Sequence, residues 1–205
     1  MLDKIILLIT GITAVYLLSQ FILRYKNKKD LHDMYYMMGF AVLVVSGLLL
    51  IFLGYKILSS PYVLTVASLF PLGISLGIAN QYFQSWKKAY AWFALIGFLA
   101  IAATSIGGWD TGRKIAVPLF HGAAGLVITV GPIVANARGK APAGFWWVGV
   151  GGALIGLGGI ALAFLSTGNQ LLFFSQQFVM TILAPLLLLM TLAQTWGFLK
   201  DLQKG

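Results

Sequence analysis

Seven runs of mostly apolar residues set the terms for any fold this chain adopts: Ile5 to Leu23, Met34 to Tyr55, Pro61 to Phe83, Ala89 to Gly107, Ile115 to Asn136, Gly144 to Ser166 and Leu171 to Leu199. A hydrocarbon core about 30 Å thick is crossed by about 20 helical residues, and every run meets that length approximately. Backbone polar groups inside a bilayer must be satisfied within the segment, which leaves helices or closed barrels. Barrel strands would show short stretches of alternating polarity, and the runs show none. With 60% hydrophobic and 9% charged residues and a mean hydropathy of +0.91, the chain carries more apolar side chain than one water-soluble domain can hide. The expectation is an all-α integral membrane protein, one transmembrane domain of seven helices, multi-pass in the cell membrane.

The bases give the orientation. Arg24, Lys26, Lys28, Lys29, Lys87, Lys88, Arg138, Lys140, Lys200 and Lys204 fall on one side, ten of the fourteen, while Lys4, Lys56, Arg113 and Lys114 fall on the other. The positive-inside rule then predicts an external N-terminus and a cytoplasmic C-terminus. The net charge of +9 is spread over short loops, with no basic arm or patch of interleaved aromatics, so nucleic acid is not an expected partner. The first apolar run lacks a cationic front and a small-residue cleavage site, and reads as a true span. All five acidic residues are Asp (Asp3, Asp30, Asp33, Asp110 and Asp201) and stand at or near segment ends. The usual intramembrane carboxylate relay is therefore not expected.

The chain also looks duplicated. Leu69-Phe70-Pro71-Leu72 returns as Leu183-Ala184-Pro185-Leu186 at a shift of 114, which also pairs Asn80 with Gln194. At a shift of 112, Gly39, Ala41, Gly47, Leu50, Phe52 and Leu53 fall on Gly151, Ala153, Gly159, Leu162, Phe164 and Leu165. This predicts a 3+1+3 parallel internal repeat: residues 1–87 as the first three-helix unit, 88–110 as an inverting linker helix, and 111–205 as the second unit. In layout this resembles the sugar-permeating SWEET proteins, whose parallel units are related by an axis along the membrane normal, although the Pro-Gln loop signature is missing. Microbial rhodopsins share the seven-helix layout, but here the seventh segment holds no lysine before Lys200 to carry retinal.

Small residues such as Gly73-x-x-x-Gly77 and Gly152-x-x-x-Gly156 predict close helix packing, and the six tryptophans fall at span ends as interfacial anchors. Pro71 and Pro185 stand inside their spans, where each frees a carbonyl four residues earlier. Their matched places suggest a pathway or hinge. His121, Gln176, Gln177, Thr104 and Ser105 are expected at one depth on three helices, as a polar vestibule near the external side, with His121 and Gln177 facing the bundle interior. Asn80 and Gln194 read as interfacial. His32 with Met34 and Met38 is a weak soft-metal signal on the wrong side for external capture, and His32 and His121 stand too far apart to share a haem. No metal or cofactor is expected. Hydrolase, metalloprotease and nucleotide-binding motifs are missing, so the chain leans away from an enzyme. The leading expectation is transport or binding of a small neutral or weakly polar solute between the two three-helix repeats. The alternative is an accessory or structural subunit, with a homo-oligomer or larger membrane complex as partner, and an intramembrane haem or enzymatic role comes third.

Overall fold

The computed structural model describes residues 2–166 and 175–204, and among these all regular structure is helical. The helices are α1 (Leu2–Lys28), α2 (Leu31–Leu53), α3 (Pro61–Ala67), α4 (Leu69–Tyr82), α5 (Lys87–Ile106), α6 (Asp110–Ala137), α7 (Trp147–Ser166) and α8 (Gln176–Lys204), with a 3-10 turn over Tyr55–Ser59. Among the described residues six spans are long and apolar enough to cross a membrane, with α3 and α4 counted as one, and α7 adds a shorter apolar stretch over Trp147–Leu157. The chain is thus a helical bundle built for a bilayer. The expected start of the last span at Leu171 lies outside the described residues, as do the side chains of Leu162, Phe164 and Leu165.

The third span is the broken one. Ser60 caps α3 by accepting from the Val63 amide, with Pro61 in the first helical position, where its missing N–H costs nothing. Ten residues later Pro71 removes the amide that Ala67 would have bonded, and α3 ends at Ala67. Ser68 bridges the break: it is fully buried and its hydroxyl donates to the Thr65 carbonyl at 2.7 Å. Pro185 does not do the same. It lies within α8, which continues through it, as α6 continues through Pro118 and Pro132.

Six helices close a ring. α1 packs on α2, α2 on α4, α4 on α6, α6 on α7, α7 on α8, and α8 returns to α1, while α5 lies outside against α3, α4 and α6. Every ring helix contributes to one apolar core, including Leu17 and Phe21 of α1, Tyr36 and Phe40 of α2, Ile74 and Ile78 of α4, Ile128 of α6, Val148 of α7 and Met190 and Phe198 of α8. The interior is filled by aromatic rings: Phe21, Tyr36, Phe40 and Phe198 pack with centroids 4.8 to 5.8 Å apart, the range in which edge and offset contacts are favourable.

Two glycine contacts fix how α2 meets α4 and how α7 meets α8. A Cβ on Gly39 would stand 3.2 Å from the Phe70 carbonyl and also meet Ile74; one on Gly151 would stand 2.9 Å from the Met190 carbonyl and also meet Gln194. A side chain at Gly151 would force the two backbones apart, and one at Gly39 would require its neighbours to shift by a few tenths of an ångström. Gly77 against Tyr36 corresponds in the same way to Gly197 against Val148. α2 and α7 keep the shift of 112, but Phe70 to Met190 and Gly77 to Gly197 give 120 for α4 and α8, six residues more than the sequence match suggests. In that contact register Pro71 stands opposite Thr191, and Pro185 opposite Thr65, so the two prolines are offset by about 9 Å along the helix axis.

Candidate functional site

The most unusual chemistry lies at the basic end of the bundle. Only Lys29 and Asp30 separate α1 from α2, and Lys29 takes a left-handed φ of 60° to turn the chain. That tight reversal sets Arg24, in the last turns of α1, against Asp33, in the first turn of α2. Arg24 Nε and Nη2 donate to Asp33 Oδ1 at 2.8 and 2.5 Å, and Arg24 Nη1 donates to Asp201 Oδ2 of α8 at 2.7 Å. The planar guanidinium suits this double recognition where a lysine would not. The charges are out of water: the side chains of Arg24, Asp33 and Asp201 are 9%, 0% and 6% exposed.

α4 supplies the next layer. Gln81 Nε2 donates to Asp201 Oδ1 at 2.9 Å, the Tyr82 hydroxyl donates to the same oxygen, and the Tyr36 hydroxyl donates to Gln81 Oε1 at 2.8 Å. Beneath them Phe21 offers its ring to the Arg24 guanidinium at 5.3 Å. This apolar floor shields the network from the bundle side, and the low exposure of all three charges makes any loss of a partner costly. Five of the six polar members come from the first three spans and Asp201 from the last, so the network crosses from one half of the chain to the other.

Above the network lies an open cleft of about 610 Å³. Its wall includes Arg24, Gln81, Tyr82 and Asp201, and beyond them His32, Lys140 and Lys204. The α6–α7 loop is held in place by Asn136, whose amide donates to the Pro142 carbonyl at 2.7 Å, and so presents Lys140 to the cleft. Two polar groups near the network have no hydrogen-bond partner among the described residues: Asp33 Oδ2, and both amide atoms of Gln194. Gln194 is fully buried, which corrects its reading as an interfacial residue. It lies seven residues before Asp201 on α8, on the same helix face and about 10 Å deeper.

The expected vestibule does not assemble as one layer. Thr104 and Ser105 are buried, but the Thr104 hydroxyl donates to the Ala100 carbonyl of its own helix. Gly112 meets Thr104, whereas Phe120, next to His121, meets Gly97. His121 therefore sits about 12 Å deeper than Thr104, since eight residues separate these contacts along α6. Its Nδ1 is enclosed and unpartnered among the described residues, as is Ser105 Oγ. Gln177 is exposed on the first turn of α8 rather than turned inward, and the Gln176 side chain lies outside the described residues. The principal neighbours of α8 are α7 and α1, so the two glutamines and His121 belong to different parts of the ring.

Sequence reasoning missed the network because Arg24 and Asp201 are 177 residues apart and each, taken alone, is an ordinary charge at a span end. One signal was present: Arg24 is the lone arginine among lysines in the first basic loop, the choice expected where two carboxylates are to be held by one planar cation. Buried ring and network together define a multi-pass helical membrane protein with an ion-paired seam at its basic end. No family model, no curated protein and no solved structure matches this chain.

Proposed function

We propose that this protein binds and passes a small polar solute without net charge at the seam between two three-helix units, residues 1–87 and 111–205, with residues 88–110 as the linker helix. The observation that carries the reading is the network Arg24–Asp33–Asp201–Gln81–Tyr82, which joins the units under the cleft. Buried ionisable groups in membrane proteins are expensive and mark pathways more often than packing. A duplication is supported by the paired glycine contacts, Gly39 of α2 against Phe70 and Ile74 of α4 and Gly151 of α7 against Met190 and Gln194 of α8. The cleft sets acids and bases side by side, Asp30 and Asp201 among Arg24, Lys28, Lys140 and Lys204, which favours a solute that carries both donors and acceptors. By the positive-inside rule this end faces the cytoplasm. The network then acts as the cytoplasmic closure, and Gln194 as the next polar station once it opens. Pro71, at the break in the third span, is the hinge candidate on this reading, while Pro185, in an unbroken helix, is not. His121, with its enclosed Nδ1, is a polar candidate outside the seam.

A second reading is favoured by the aromatic filling of the ring: a non-catalytic subunit of a membrane complex, held rigid by its ionic seam. The experiment that separates them uses purified protein in detergent and in liposomes. Thermal-shift titration with a panel of neutral and zwitterionic solutes, followed by flux of the binders, is expected to give at least one ligand whose binding and flux are lost in Asp201→Asn. A stoichiometric copurifying protein, with no ligand and no flux, would replace the proposal with the subunit reading.

A further inference from the structure

We propose a site for one anionic phospholipid on the outer surface of the bundle, in the leaflet at its basic end. α2 and α5 both pack against α4 and leave a groove of about 420 Å³ between them. Leu69, Leu72 and Leu76 of α4 form its floor, Tyr35 and Met38 of α2 one wall, and Trp92, Leu95 and Phe98 of α5 the other. The groove exists because α2 lies so close to α4: a Cβ on Gly73 would stand 2.8 Å from the Tyr35 carbonyl, so α2 sinks towards α4 while α5 rides on larger side chains.

Length and charge select the occupant. The floor from Leu69 to Leu76 runs about 10 Å, ending beside the helix break at Ser68, and fits within the roughly 15 Å hydrocarbon depth of one leaflet. An acyl chain entering from the basic end therefore fills the groove down to mid-bilayer. At its mouth α5 begins with Lys87 and Lys88, and Lys88 shares a helix face with Ala91, Trp92 and Leu95, three, four and seven residues on. Side chains lean towards the helix N-terminus, so the Lys88 ammonium reaches headgroup level directly over the groove. The first turn of α5 has no side-chain cap, and its amides add positive potential at the same place. A phosphate there meets two lysines and a helix N-terminus while its chain lies on the leucine floor. Trp92, 65% exposed, takes the interfacial place its amphipathic ring prefers.

Native mass spectrometry of the full chain in a mild detergent, titrated with phosphatidylglycerol or phosphatidylcholine of the same acyl composition, tests this. The expected result is one phosphatidylglycerol retained per chain with a preference of about 25-fold over phosphatidylcholine. Lys87→Gln with Lys88→Gln abolishes the preference, by about fivefold for each lysine, and leaves the weak phosphatidylcholine binding in place. Ala91→Trp, which fills the mouth of the groove, removes both lipids. The lysine variant changes only the helix end and is the arm that does not depend on repacking. Equal retention of the two lipids, a preference that survives loss of both lysines, or a lipid-free dimer formed through this face would each overturn the site.

Discussion

Each end of the bundle pairs an arginine with aspartate, and the two ends use the pairing differently. At the basic end Arg24 sits between Asp33 and Asp201 with both carboxylates nearly excluded from water. At the opposite end Arg113 pairs with Asp110 one turn away on the same helix, at 2.8 Å, with side chains 37% and 74% exposed. The Tyr55 hydroxyl reaches Asp3 there at 3.5 Å, the limit of a hydrogen bond. An exposed pair within one helix contributes little because water competes for both partners. A buried pair that joins distant helices costs much to form and more to break. The basic end is thus fastened, and the other end is held by apolar contacts such as Leu7, Leu50 and Ala184. If the halves move, the fastened end is where the movement is controlled.

The largest effect is expected for Arg24→Ala, which strands two buried carboxylates. It should cost about 3 to 5 kcal/mol, read as a lowered thermal midpoint in detergent, and a loss below about 1 kcal/mol would mean that water already reaches the cluster. Asp201→Asn keeps the shape and removes one charge, so about 2 kcal/mol should be lost, in line with hydrogen bonds to ionised groups. Gln194→Leu should act in the opposite direction, because it removes two buried amide atoms without partners among the described residues. A gain of about 1 kcal/mol is expected, accompanied by weaker solute binding; loss of stability would show that Gln194 has a partner in the native protein. The smallest effect belongs to the exposed end, where Arg113→Ala should stay within about 0.5 kcal/mol.

The spans were legible in the sequence because length and hydropathy alone decide them, and the break at Ser68 was foreshadowed by Pro71. What could not be read was which charges meet. Arg24, Asp33 and Asp201 lie near span ends, and an end residue exposed to water looks the same in sequence as one sealed by a neighbouring helix. Depth was misjudged for a related reason. The apolar run that holds His121 starts at Ile115, whereas α6 begins at Asp110 and carries His121 further from its end. Pro71 and Pro185 matched as letters, but helix contact is decided by where backbones touch, and the glycines set that register elsewhere. Gln177 shows the limit of the rule that polar groups avoid lipid: at the first turn of a helix, exposure carries no such penalty.

The most direct test of the fastened seam is a double-mutant cycle between Arg24 and Asp201. Thermal or denaturant unfolding in detergent of the parent, Arg24→Ala, Asp201→Ala and the double variant gives the coupling between them. A coupling of at least about 1.5 kcal/mol is predicted for a desolvated pair that joins the two halves. Additive losses, with coupling within about 0.3 kcal/mol of zero, would mean that the two halves are not joined through these side chains, and the seam would lose its claim to be the site.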